Sequence, residues 1–179
     1  MKHSIRKVTI ATALLLAALP AAAQMRALSD PVVAHKDPES LFTSKDPALH
    51  RNKQATLHIM RELLQCNQWE RAGEWLTDAY IQHNPMAASG LAGVKKFFIE
   101  TMKRKPNMDC KKLTSPIVAV QAEGDYVTVL AVREMKYADD PSKSYTTTWF
   151  DTWRFVNGKA DEHWDPATLP TAPAPAAGR

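Results

Sequence analysis

Apolar residues in the first half of the chain recur at helical spacing, and in the second half at strand spacing. Asp46-Pro47 reads as an N-cap followed by a first helical position, after which Leu49, Leu57, Met60, Leu63 and Leu64 form a stripe running to Cys66. Asn67-x-x-Glu70 resembles a capping box, and Trp69, Ala72, Trp75, Leu76 and Ala79 are spaced to face a core, which predicts a second helix. A third helix is predicted from about Leu91 to Met102, burying Leu91, Val94, Phe97 and Phe98 before Pro106 and Asn107 mark its exit.

From Ser115 onward the period changes. Ile117–Val120 and Tyr126–Val132 are β-branched, apolar runs separated by Ala122-Glu123-Gly124-Asp125, as in a hairpin. The polar stretch Tyr137–Ser144 reads as a surface loop, and another strand begins near Tyr145. Asn157-Gly158 is a favoured pair for a two-residue type I′ turn, so the segments on either side should pair as antiparallel strands. Alternation then places Thr147, Trp149, Asp151, Trp153 and Phe155 on one face, and Asp161, His163 and Asp165 on one face of the returning strand. Helices followed by strands, without alternation, give an α+β class.

The flanks differ in composition. Lys2, Arg6 and Lys7 precede the apolar stretch Val8–Leu19 and the small residues Ala21–Ala23, the layout of a cleaved secretory signal over residues 1–23. Residues 24–45 are expected as an arm or linker, 46–165 as the folded domain, and the Pro/Ala-rich residues 166–179 as a disordered tail. The 179-residue chain carries a formal charge of +4, but loss of Lys2, Arg6 and Lys7 with the signal brings the mature protein to +1. That balance gives no support for nucleic-acid binding, and Lys95-Lys96, Lys103-Arg104-Lys105 and Lys111-Lys112 read as solvated surface. The implied location is periplasmic or secreted, with no membrane attachment after cleavage. In that oxidising compartment Cys66 and Cys110 are expected to bridge, tying the first helix to the approach to the sheet.

A carboxylate on an aromatic strand face is costly to bury unless it is paired, so Asp151 is either satisfied structurally, by Arg154 or a histidine, or retained for chemistry. His163 can serve as a core residue bonded to Asp165 or as an acid–base group, and His83-Asn84-Pro85 as a turn or as pocket lining. No Gly-rich phosphate loop, nucleophile elbow or local metal-binding pattern is present, so His83, His163 and Asp151 are not assigned to a metal and no cofactor is expected.

Phe150-Asp151-x-x-Arg154-x-x-x-Gly158-Lys159-x-x-Glu162-His163-Trp164-Asp165, with Tyr80-Ile81-Gln82-His83-Asn84-Pro85 upstream, resembles the SnoaL-like polyketide cyclase family of the nuclear-transport-factor-2-like superfamily. The resemblance covers roughly Pro47 to Asp165. It implies a cystatin-like cone, with three N-terminal helices packed on a curved antiparallel sheet around a one-ended pocket, and a homodimer formed through the open sheet face. It brings His83 near Asp151 and His163. The implied function is a cofactor-independent enzyme, an isomerase or lyase, that abstracts a proton from a small hydrophobic or aromatic enolisable carbonyl compound. Asp151, His163 and His83 are its expected catalytic groups, and Tyr80, Asn84, Trp149, Trp153, Trp164 and Asp165 its expected substrate-binding residues. The alternative is a non-catalytic periplasmic binding or accessory protein using the same pocket.

Overall fold

In the computed structural model the described residues are Ala27 and 29–169. The expected signal segment and residues 170–179 of the expected tail lie outside them. Helix α1 (Pro47–His58) starts as its sequence dictates: Asp46 Oδ1 accepts from the Ala48 and Leu49 N–H groups, and Pro47 occupies the first turn, where no N–H is needed. Its axis continues through Ile59–Gln65 in wider turns, closed by i→i−5 bonds such as Cys66 N–H to Arg61 C=O. Helix α2 (Leu91–Lys96) continues the same way through Phe97–Thr101.

Five strands, β1 (Leu76–Gln82), β2 (Ile117–Glu123), β3 (Tyr126–Lys136), β4 (Ser144–Val156) and β5 (Lys159–Trp164), form one curved, unclosed sheet in the order β1-β5-β4-β3-β2. Gly124 and Asn157-Gly158 make the two tight turns with positive φ, and Gly158 at φ 81° is where glycine relieves backbone strain. Helix α1 packs on β2, β3 and β5, and α2 on β1. Phe42, Leu63, Ile117, Val127, Val129, Trp153 and Phe155 are buried between the layers.

Three expectations are corrected. The predicted second helix is a short 3-10 turn, Trp69–Glu74, followed by strand β1, so the described residues hold two long helices and not three. Leu76 and Tyr80 are both buried, and their i,i+4 spacing fits a helix as well as a strand. Gly73 weakens helix continuation, and pairing with β5 decides the outcome. Secondly, the sheet is mixed, because β1 runs parallel to β5. Thirdly, the expected linker is built into the domain from Pro31. Phe42 is fully buried, the His35 N–H donates to Ile117 C=O, and Glu39 Oε1 accepts from the Leu113 N–H.

Cys66 and Cys110 are bridged, with Cα atoms 6.1 Å apart. Closing a loop of sequence separation 44 contributes about 4 kcal/mol in the chain-entropy model.

Candidate functional site

The site lies where β1, β4 and β5 meet beneath the two widened helix segments. Because β1 is a strand, Tyr80 and Gln82 share a face, and Asn84 follows just beyond its end. On β4 the same face carries Asp151 and Trp153, and on β5 it carries His163, with Asp165 after the strand. These seven residues line a cavity of about 60 Å³, walled by Ile59, Leu64, Leu76 and Val94 and covered by Trp69, Phe97 and Phe98. Trp69 and Phe98 are stacked, with ring centroids 3.7 Å apart.

A directional chain of hydrogen bonds fixes the polar end. The Asn84 N–H donates to Gln82 Oε1 at 3.0 Å, which identifies that atom as an acceptor. The same oxygen lies 2.8 Å from His163 Nδ1, so Nδ1 carries a hydrogen. His163 Nε2 then faces Asp151 Oδ1 at 3.2 Å, and one proton lies between them, on imidazole or carboxyl. The Trp149 indole N–H also donates to Asp151 Oδ1, at 3.3 Å. Both contacts fall on one oxygen, which leaves Oδ2 without a hydrogen-bond partner among the described residues. Asp151 and His163 are each more than nine-tenths buried, so the pair is desolvated as well as oriented.

Tyr80 is buried, and its hydroxyl oxygen accepts from the Trp153 indole N–H at 3.2 Å. Its own O–H has no acceptor among the described residues. Burial pushes the phenol far above its usual range; the bond from Trp153 opposes this, and the charges of Asp151 and Asp165 add to it. Tyr80 is therefore a neutral donor. The Trp69 indole N–H is likewise buried without a partner among the described residues. Asp165 accepts from Asn84 Nδ2 at 2.8 Å and from the Ala167 N–H at 2.9 Å.

Two expected site residues face elsewhere. The side chain of His83 emerges on the opposite face of the sheet, bonds through Nε2 to Glu162 Oε1 at 2.8 Å and stacks on Trp164. Only its backbone approaches His163, donating to that residue's carbonyl. Trp164 shares this outer face by alternation from His163. A bulge between Arg154 and Phe155 also moves Asp161 off the face of His163: Arg154 pairs with both Asp161 and Glu162, and so is not the partner of Asp151. The hydrogen bond from His83, working against desolvation and together with Arg154, holds the Glu162 carboxyl below the usual range.

Gln82 is the site residue that sequence reasoning missed. It stands inside the Tyr80–Pro85 motif, but its place in the site follows from the i,i+2 spacing from Tyr80, visible once β1 is read as a strand. A metal could draw on Asp151, His163 and Asp165, whose ligand atoms lie within 4.8 Å of one another, and not on the triad with His83. All three already have hydrogen-bond partners.

The chain falls in a defined class. The chain belongs to the SnoaL-like domain family, whose model matches residues 58–163, over half its length. No curated protein sequence matches the chain. Among solved structures it is similar to a candidate polyketide cyclase from Acidithiobacillus ferrooxidans, at 14% identity, TM-score 0.45, and 64% and 86% coverage of this chain and that one. A SnoaL-like candidate polyketide cyclase from a Jannaschia species is similar at 17% identity and TM-score 0.45, with 69% and 91% covered. TsrD from Streptomyces laurentii is similar at 14% identity and TM-score 0.40, with 68% and 90% covered.

Proposed function

We propose that the protein is a cofactor-independent enzyme that abstracts a proton from the carbon next to a carbonyl group. The observation that carries this reading is the buried Asp151–His163 pair, tied together through Oδ1 and anchored by Gln82, with Oδ2 of Asp151 left without a hydrogen-bond partner among the described residues. With its proton on His163, the pair presents a buried, oriented carboxylate positioned to accept a proton. Oδ2 takes the α-proton, the C–H electron pair moves into the new C=C bond, and negative charge develops on the carbonyl oxygen. Tyr80, a neutral donor with a free O–H, supplies a hydrogen bond to that oxygen. The protonated base then leaves the Asp151–His163 pair with one positive charge opposite the enolate, which limits the electrostatic cost of charge separation. Return of the proton at another carbon gives isomerisation, and attack of the enolate on an internal carbonyl gives aldol-type ring closure. His163 acts in this scheme as an orienting and charge-balancing group, since both its nitrogens are engaged.

The covered cavity of about 60 Å³ also suits a second reading, a non-catalytic binding or accessory protein that holds a small group in the same place. A periplasmic or secreted location fits the Cys66–Cys110 bridge. The two readings separate on Asp151→Asn, with binding followed by indole fluorescence and turnover by product formation across a panel of enolisable ketones and aldehydes. The enzyme reading expects turnover to be lost while binding persists. Ligand binding by both forms, with turnover by neither, would replace it with the binding reading.

A further inference from the structure

The covered cavity is far smaller than the roughly 300–1,000 Å³ that encloses an ordinary small-molecule ligand, so it can hold only the reacting end of a substrate. The remainder must lie outside it. A second, open depression of about 390 Å³ adjoins the cavity at three points along the chain. Its walls include Trp149, Met86 and Pro166, and the corresponding cavity residues are Asp151, Ala87 and Asp165. Arg133 is the charged residue of this outer depression.

The sheet register puts Arg133 on the reacting face. On β3, Val129 pairs with Asp151, Ala131 with Trp149 and Arg133 with Thr147, so alternation carries Arg133 to the same side as the carboxylate. The Arg133 guanidinium carbon lies 4.0 Å from the centroid of the Trp149 ring, whose N–H holds Asp151 Oδ1. Arg133, like Arg51 and Arg104, has no carboxylate partner among the described residues, and of these three it is the one stacked on an indole. Stacking on an indole holds the flat guanidinium fork in place while leaving its N–H edge available to an anion.

We infer that Arg133 recognises an anionic group on the substrate, and that the substrate is a carbonyl compound carrying a carboxylate. This rests on the proton-abstraction reading for the reacting end. The enolisable carbonyl enters the covered cavity against Asp151 and Tyr80, and the carboxylate remains in the outer depression on Arg133. The Trp149-to-Asp151 step along β4 sets the offset between the two at roughly 7 Å. A planar fork matches a carboxylate in bidentate fashion, which a lysine at the same place would not.

The test compares acids whose chain length matches that offset with their neutral esters: 5-oxohexanoate against methyl 5-oxohexanoate and 6-oxoheptanoate against methyl 6-oxoheptanoate. Solvent deuterium incorporation is measured for the wild type, Arg133→Gln, Arg133→Lys and Asp151→Asn. The wild type should favour each acid over its ester by about tenfold, the scale of one exposed charge-assisted contact, and the preference should shrink as salt is raised. Arg133→Gln should bring the ratio close to one, through KM, and Arg133→Lys should recover only part of it. Exchange without acid preference, or a preference that survives in Arg133→Gln, overturns the assignment of Arg133 and leaves the role of Asp151 standing. If no compound exchanges, the proton-abstraction reading fails, and 6-oxoheptanoate binding followed by indole fluorescence decides on Arg133 alone. Binding that weakens in Arg133→Gln upholds the anion site; binding that is absent, or indifferent to that change, overturns it.

Discussion

Gln82 shows how much of the site depends on one side chain that touches no reacting atom. Its amide oxygen receives both the Asn84 N–H and His163 Nδ1–H, and so sets which imidazole nitrogen meets Asp151. Gln82→Leu removes the acceptor from two donors, and should cost about 1–3 kcal/mol in a chemical-denaturation midpoint. Histidine ¹⁵N resonances should shift in the same variant as His163 loses its fixed tautomer. Tyr80 gives a second residue-level outcome. Because burial keeps its phenol neutral far into alkali, Tyr80→Phe should leave the rise in phenolate absorbance unchanged until the protein unfolds. Strand alternation in the sequence placed Asp151, Trp153 and His163 correctly, since β4 and its turn carry a clear period and an Asn-Gly pair. Gln82 was not legible and His83 was misplaced for one shared reason: a segment read as the turn after a helix has no two-residue alternation to separate them.

At the scale of elements, that misreading has a physical origin. Trp69, Ala72, Leu76 and Tyr80 are buried at three- and four-residue intervals, a spacing that a 3-10 turn leading into a bulged strand also satisfies. Only the parallel pairing with β5, which is non-local, distinguishes the two. The β4–β5 bulge is equally silent in sequence, and it is what sends Asp161 to Arg154. The loop between β1 and α2 carries Asn84 and is held close to the helix at Gly93, where an added Cβ would meet the Ala88 carbonyl oxygen at 2.8 Å. Gly→Ala inside a helix ordinarily stabilises, but Gly93→Ala should lower stability by about 1–2 kcal/mol, because a backbone contact has to shift. Thermal melts of the two proteins check the sign.

For the whole molecule, two features outside the site govern stability. Replacing Cys66 and Cys110 together by serine should cost up to about 4 kcal/mol, read from denaturant midpoints with and without the bridge. Glu62 is the second. Burial works against its charge, yet hydrogen bonding and charge from His58, the charge of Arg71 and a hydrogen bond from Arg61 together hold its carboxyl below the usual range. Arg71 approaches Oε2 at 2.9 Å, a charge contact whose angle is not that of a hydrogen bond. A lowered folded-state value means that the unfolded chain binds the proton more readily. The contribution is therefore present above the ordinary glutamate range and is lost as pH falls through the folded value. Glu62→Gln should accordingly flatten the loss of stability between pH 7 and the acid range.

The central claim, that Asp151 removes a proton from carbon, is tested most directly by the rate at which solvent deuterium enters the α-position of an enolisable carbonyl compound. The account predicts incorporation by the wild type well above buffer, falling roughly 10²–10⁴-fold in Asp151→Asn, the usual span of a general base. Equal rates for the wild type, Asp151→Asn and buffer, across ketones, aldehydes and their carboxylated analogues, would contradict it.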